Sequence, residues 1–425
     1  MTKFGDNFED GSVTISDFAI KQNTSYLELY DWQRRAIDFF FDYNKAIFEA
    51  TTGAGKTFCV IEILKRIWKT ESNLYVLIVV PKNVILETGW YSELYNASVG
   101  LPDIGVYYGF AKEYSKVTIT NMQNLGNIAL DIFDVIIWDE VHNYGTERLL
   151  PFIKMDFKYK IGLSATLERM DDNHYKIMAA FDYNVFSYTP KQALVDGVLN
   201  PFNFSNIFVE MEEDDFETYL RLTKEYNMMI KSGGSYNKIM RGNSGLKFKV
   251  LTKMNERKGL VNNYYKKCDV VKWICEKHRN DKIIIFSEYN KTTNDFYWSL
   301  LDTGTRARVI HSDISADMRD KALSDFKNNR ANVLLVTRAL DEGTNIPKLD
   351  VAIIAAGNST SRQTVQRLGR VLRKKNKESS LYQVFVKRTM EEDYAKERSA
   401  LFKELCSNYK EYYLDDNNNV VETFK

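Results

Sequence analysis

Ala50-Thr51-Thr52-Gly53-Ala54-Gly55-Lys56-Thr57 is a glycine-rich turn between the apolar run Lys45-Ala46-Ile47-Phe48-Glu49 and the helical pattern Val60-Ile61-Glu62-Ile63-Leu64. In that setting the backbone N–H groups of Thr52, Gly53, Ala54 and Gly55 turn inward at a helix N-terminus and hold phosphate oxygens. Lys56 then reaches the β- and γ-phosphates of a nucleotide, and the Thr57 hydroxyl binds Mg²⁺. The strict pattern begins with Gly and this chain has Ala50, so the run taken alone also fits a surface turn.

A second stretch decides between those readings. Asp134-Val135-Ile136-Ile137-Trp138 is an apolar strand that ends in Asp139-Glu140-Val141-His142. Acids at the carboxyl end of a buried strand lie where open parallel sheets keep their chemistry. Asp139 is expected to hold Mg²⁺, commonly through water, and Glu140 to orient and polarise an attacking water. Paired with Lys56, the acids predict a site that hydrolyses a nucleoside triphosphate.

Composition narrows the class. The chain has 425 residues, 44% hydrophobic and 27% charged, which suits two or three globular domains. No apolar run approaches the roughly 18 residues that span a bilayer. The start, Met1-Thr2-Lys3-Phe4-Gly5-Asp6, shows no signal peptide, so a cytoplasmic location is expected, in a host cell if the source is viral. Cys59, Cys268, Cys275 and Cys406 form no C-x-x-C pair and only four histidines occur, which argues against zinc. A net charge of +1 means that any nucleic-acid groove is a local lining and not a basic protein. The densest cationic run, Arg373-Lys374-Lys375-Asn376-Lys377, reads equally as a solvated turn.

Short apolar runs alternate with helical patterns in two blocks, which predicts an α/β protein with two parallel sheets flanked by helices. Leu74–Val80, Val117–Thr120 and Tyr159–Ser164 join the strands already named in the first block. Asp281–Ser287, Arg306–Ile310, Ala331–Val336, Val351–Ala355 and Leu381–Val386 form the second, the last expected to close its sheet. Residues 1–26 are read as an N-terminal extension, 27–205 as the first domain, and 206–265 as a linker or helical insertion. A flexible turn is expected at Lys231-Ser232-Gly233-Gly234-Ser235. Residues 266–388 form the second domain, and 389–425 a helix through about Tyr409 with a polar, fraying tail. The second block has no cradle but carries Gln366-Arg367-Leu368-Gly369-Arg370-Val371-Leu372-Arg373. On a helix Gln366, Arg370 and Arg373 share one face, and two guanidinium forks suit charge developing on a transferred phosphoryl group.

Together these stretches resemble the superfamily 2 helicases and translocases over nearly the whole chain, which implies tandem RecA-like domains with ATP between them. The resemblance makes Gln33, in Tyr30-Asp31-Trp32-Gln33, the adenine-reading glutamine, and Asp139-Glu140-Val141-His142 the box motif. It implies nucleic-acid contacts at Pro81, Lys82, Thr120, Ser287, His311 and Thr337. Coupling of hydrolysis to strand movement is implied for Ser164 and Thr166, in Ser164-Ala165-Thr166, with Gln366. Gly343 and Asn345, in Asp341-Glu342-Gly343-Thr344-Asn345-Ile346-Pro347, are implied at the nucleotide, and Arg370 and Arg373 as arginine fingers. The form of that segment, with Ala165–Asp172 and Asp196–Pro201, resembles the branch of XPB, UvsW and type III restriction subunits.

The resemblance implies an ATP- and Mg²⁺-dependent motor on single-stranded, forked or branched DNA, of the kind that migrates branches in repair or recombination. The short stretch before Tyr30 implies that a UvsW-like N-terminal DNA-binding domain is absent or reduced. No nuclease motif is evident, and no protein partner is indicated. Two alternatives stay open: an RNA helicase, and an ATP-gated clamp without motor activity. A tyrosine–lysine cluster, Tyr264-Tyr265-Lys266-Lys267, reads either as a base-stacking surface or as a helix packed on a lobe.

Overall fold

A computed structural model describes residues 28–81, 89–97, 103–109, 111–169, 171–242, 245–337, 349–356 and 377–423. The first lobe opens with α1 (Asp31–Tyr43), β1 (Lys45–Ala50) and α2 (Lys56–Thr70). It continues with β2 (Val76–Val80), α3 (Tyr91–Asn96), β3 (Ile104–Tyr108), β4 (Ala111–Lys112), β5 (Val117–Asn121), β6 (Val135–Trp138) and α4 (Leu150–Ile153). It ends with β7 (Tyr159–Ser164), α5 (His174–Ala179) and β8 (Val185–Tyr188). Its eight strands run β4-β3-β5-β2-β6-β7-β1-β8, all neighbours parallel except β3 and β4. The central strands are continuous apolar runs because helices cover both faces; every residue of Val76–Val80 and of Val135–Trp138 is buried.

A short connection holding α6 (Pro190–Val195) leads to the second lobe. Thr189 caps that helix through Gln192, and the first proline fits a first-turn position that needs no N–H donor. The next element departs from expectation. Phe202–Val209, placed by sequence across the end of the first domain and the start of the linker, is β9 and belongs to the second sheet. It pairs in parallel with β14 (Ser379–Val386) and β15 (Asn408–Leu414), and six of its eight residues are buried. The helical insertion therefore leaves from and returns to the second lobe.

That insertion comprises α7 (Glu213–Gly233), α8 (Tyr236–Arg241) and α9 (Gly245–Asn262), with α7 packed along α9, and α10 (Lys267–Lys277) follows it in the second lobe. Gly234, at φ 88°, ends α7, and the Ser235 side chain accepts from Lys238 N to start α8. The remaining elements are β10 (Ile283–Phe286), α11 (Asn290–Leu301), β11 (Ala307–Ile310), α12 (Ala316–Lys327), β12 (Val333–Val336) and β13 (Val351–Ile354). After β14 come α13 (Met390–Leu405), β15 and β16 (Val420–Glu422). The sheet runs β11-β12-β10-β13-β14-β9-β15-β16, parallel except for the last pair. Leu381–Val386 is thus an interior strand, not the closing one. The helix stops at Leu405, and the tail expected to fray forms an edge hairpin that buries Tyr412 and Leu414.

A buried polar lattice fixes that tail. Asn206 of β9 donates to Ser399 Oγ (2.9 Å) and Tyr409 Oη (3.1 Å). Gln383 of β14 donates to Asn206 Oδ1 and to the Ala395 carbonyl, both at 3.0 Å, and accepts from Arg398 Nε at 2.6 Å. Beside it, Lys267 Nζ lies 2.7 Å from both carboxylate oxygens of Glu391, with neither side chain more than 2% exposed. Burial pushes the Lys267 ammonium below its usual range, and the Glu391 charge opposes that shift. Tyr264 is buried, its oxygen accepting from Glu212 N. The packing reading of the tyrosine–lysine cluster is the one the structure favours at Tyr264 and Lys267.

Candidate nucleotide and nucleic-acid sites

Because β1, β6 and β7 are parallel neighbours in the order β6-β7-β1, their carboxyl ends meet at one edge of the sheet. The turn after β1 is shaped by Gly53 (φ 86°) and Gly55 (φ 91°), a conformation side chains with a Cβ resist. Gly55 is doubly constrained, since a Cβ there would meet Gln33 Nε2 at 2.7 Å. α2 begins immediately after it, presenting its first N–H groups to the turn. The Thr52 hydroxyl is buried within this turn with no hydrogen-bond partner among the described residues. Lys56 Nζ donates to the Ala50 carbonyl at 2.6 Å. Burial lowers its pKa, while the Glu140 and Asp139 charges pull the other way. A phosphate chain would satisfy the orphan hydroxyl and the helix N-terminus and give Lys56 a stronger partner, so the residues fit a nucleoside triphosphate. Thr57 follows in the first turn of α2, and Asp139 supplies hard oxygen ligands of the kind Mg²⁺ takes.

Asp139 is held on several sides. Its N–H donates to the Val79 carbonyl (2.9 Å), its Oδ1 accepts from Glu140 N (3.0 Å), and its Oδ2 accepts from Trp90 Nε1 (2.9 Å). Glu140 stands in the left-handed region at φ 47°, so the chain turns sharply between the two acids. Its Oε2 lies 3.3 Å from His142 Nδ1, which sits 2.9 Å from Ser164 Oγ. Ser164 donates in turn to the Thr166 carbonyl (2.6 Å) and accepts from Thr166 N (3.2 Å). His142 of the box is thereby hydrogen-bonded into Ser164-Ala165-Thr166, with the Glu140 carboxylate beside the ring at ion-pair distance. Arg169 extends it, donating to the His142 carbonyl while clasping Asp171 at 2.8 and 2.6 Å.

Gln33 is buried, its Nε2 donating to Gly55 O at 3.0 Å and its Oε1 accepting from Tyr30 N at 2.9 Å. The amide thus ties the start of α1 to the cradle, and reading adenine requires it to exchange at least one of these bonds. Sequence reasoning passed over Trp90 and Glu49. Trp90 stands at the head of α3 without any flanking pattern that marks it. Glu49 was visible as the one acid in an apolar strand; its carboxylate accepts from Leu167 N (2.8 Å) and Ser187 Oγ (2.9 Å).

The expected nucleic-acid contacts fare differently. Thr120 is fully buried and its hydroxyl donates to Tyr107 O at 2.8 Å, tying neighbouring strands. Ser287, Thr337 and His311 gather at the carboxyl edge of the second sheet, but each is buried. The backbone N–H of Ser287 and of Thr337 bonds a neighbouring strand, and His311 Nε2 lies 3.0 Å from Asn294 Oδ1. These four side chains are packed into the lobes. Pro81 is buried as well. Lys82, Gly343, Asn345, Gln366, Arg370 and Arg373 lie outside the described residues.

Comparison with known proteins agrees with this geometry. Residues 26–169 match the family described as "Type III restriction enzyme, res subunit", and residues 266–375 match the "Helicase conserved C-terminal domain". The chain is 26% identical over 382 residues to the DNA 3'-5' translocase XPB2 of Sulfurisphaera tokodaii, covering 85% of this chain and 82% of that one. It is 23% identical to the DNA 3'-5' helicase XPB of Mycobacterium tuberculosis, covering 89% of this chain but 64% of that protein. In architecture it resembles the Pyrococcus furiosus Hef helicase domain, with a TM-score of 0.61 and 17% identity over 87% of this chain and 97% of that chain. No helix among the described residues is long and apolar enough to cross a membrane.

Proposed function

Because the chain belongs to the superfamily 2 helicases and is an ATP-hydrolysing enzyme, we propose that it is a DNA motor of the XPB type that moves 3' to 5' and remodels forked or branched DNA. The observation that carries this reading is the span of the similarity: 85% of the chain aligns with a DNA translocase, so both lobes and their insertion belong to one machine. In that machine Lys56 would hold the β- and γ-phosphates, and Thr57 and Asp139 would supply oxygen ligands to Mg²⁺. Bound Mg²⁺ neutralises phosphate charge. Glu140 accepts a proton from water at its carboxylate, and His142 and Ser164 carry the state of that carboxylate to Thr166. The family resemblance assigns Arg370 and Arg373, which lie outside the described residues, to the transferred phosphate.

For the nucleic-acid surface, the distal half of the helical insertion is a better candidate than the buried strand ends. No acidic residue occurs from 226 to 255, a stretch that carries six cationic residues in a chain of net charge +1. Lys231, Lys238, Arg241 and Lys249 are exposed, as are Tyr236 (39%) and Phe248 (74%). Cations interleaved with exposed rings suit phosphates and unstacked bases.

ATP hydrolysis measured with no nucleic acid, single-stranded DNA, duplex, a fork, a four-way junction and RNA tests the reading. DNA stimulation greatest on branched forms is expected, and RNA-only stimulation would transfer the activity to RNA. A Lys238→Glu/Lys249→Glu variant should weaken DNA binding and flatten its salt dependence, with DNA-free hydrolysis unchanged.

A further inference from the structure

We propose that Trp90 is a positioning residue of the ATP site, its indole N–H fixing the Asp139 carboxylate in the orientation that receives the divalent cation. This rests on the reading of Asp139 as the cation-binding acid. Trp90 is 2% exposed, and its Nε1 lies 2.9 Å from Asp139 Oδ2. The other carboxylate oxygen is taken by Glu140 N at 3.0 Å. Rotation of the carboxylate about its Cβ–Cγ bond would break both bonds, one of them formed with a different element of the fold. Hydrogen bonds to an ionised acceptor are short and directional, which suits them to hold an angle.

The contact is not what this protein's indoles generally do. Trp32 and Trp138 bury their N–H groups without a partner among the described residues, and Trp68 donates to the Leu74 carbonyl. Packing alone therefore does not require a buried indole here to find a carboxylate. Trp90 belongs to the same core cluster as Leu94 of α3, so its ring also has an apolar role. The proposal concerns the N–H alone, and the test must separate the two.

Partners that orient a metal-binding side chain are worth about 10- to 100-fold in metal affinity or activity. Trp90→Phe keeps a ring and removes the donor. Equilibrium binding of a fluorescent ADP, titrated with Mg²⁺ and repeated in EDTA, reads the effect without turnover. The expected result is a half-saturating Mg²⁺ concentration raised about 10-fold or more, with ADP affinity in EDTA unchanged. Trp90→Tyr, which returns a donor, should recover part of the loss, and Leu94→Ala should shift stability without shifting the Mg²⁺ titration. A Trp90→Phe titration that overlays the wild type, or equal weakening with and without Mg²⁺, overturns the proposal. If wild-type ADP binding itself ignores Mg²⁺, the reading of the site fails before the role of Trp90 is reached. Should the variants not fold, the indole ¹⁵N–¹H resonances of the wild-type protein decide: one should move when Mg²⁺ joins the ADP complex, and none moving overturns the proposal.

Discussion

The two lobes share an eight-stranded, mostly parallel sheet but deploy their buried polar side chains at different places. In the first lobe they gather at the carboxyl edge: Gln33 bonds the cradle at Gly55, and buried His142 and Ser164 bond each other beside the half-buried Asp139 and Glu140. In the second, the best-connected described set lies between the sheet and α13, where Asn206, Gln383, Arg398 and Ser399 bind the C-terminal segment. One framework thus supports chemistry in one copy and anchorage in the other. Substitutions in the first set should remove turnover and leave the fold, and those in the second should remove the fold.

The largest expected effect challenges this division directly. Arg370→Ala or Arg373→Ala should lower hydrolysis by about 10³-fold or more, with a smaller change in ATP affinity. Steady-state and binding measurements check it; a defect mainly in affinity would confine the chemistry to the first lobe. Glu140→Gln should reduce turnover by about 10²–10⁴-fold while ATP still binds and the urea midpoint stays near that of the wild type. Lys56→Ala is the companion variant that loses binding or hydrolysis.

A stability measurement sharpens the other half. Glu391→Gln leaves Lys267 buried without its counter-ion and should cost about 3–5 kcal/mol in urea unfolding. A Lys267→Met/Glu391→Leu double variant should recover part of that loss, because it removes both buried charges of the pair together. The smallest effect concerns His278, whose ring lies between Asp281 (2.8 Å) and Tyr382 (2.9 Å). Burial holds it below the usual imidazole range against the pull of Asp281. The unfolded chain therefore takes up the proton first, so stability is full above about pH 6.5 and falls as pH drops toward the folded value. His278→Gln should flatten the urea midpoint across that window.

The catalytic half was more legible than the rest, for physical reasons. Strands buried on both faces read as unbroken apolar runs, and Val76–Val80 and Val135–Trp138 announce themselves that way. Strands nearer the edges do not. Val185–Tyr188 is mostly half-exposed, and Asn408–Leu414 mixes three tyrosines with a lysine and a glutamate, a composition that a helix end or a polar tail also shows. Phe202–Val209 hid because its interleaved asparagine and serine look like linker composition, whereas Asn206 is buried and bonded across the sheet. Motif residues such as Lys56 and Asp139 were found from spacing. Trp90 was not, since its role depends on an acid 49 residues away that only folding brings near.

The placement of β9 has a mechanical consequence. With β9 on one side and α10 and β10 on the other, the helical insertion is rooted at both ends in the second lobe. Its 21-residue helix α7 is about 30 Å long at 1.5 Å per residue. A rotation of about 10° about the root of that helix would therefore carry its far end, next to the basic stretch, through roughly 5 Å.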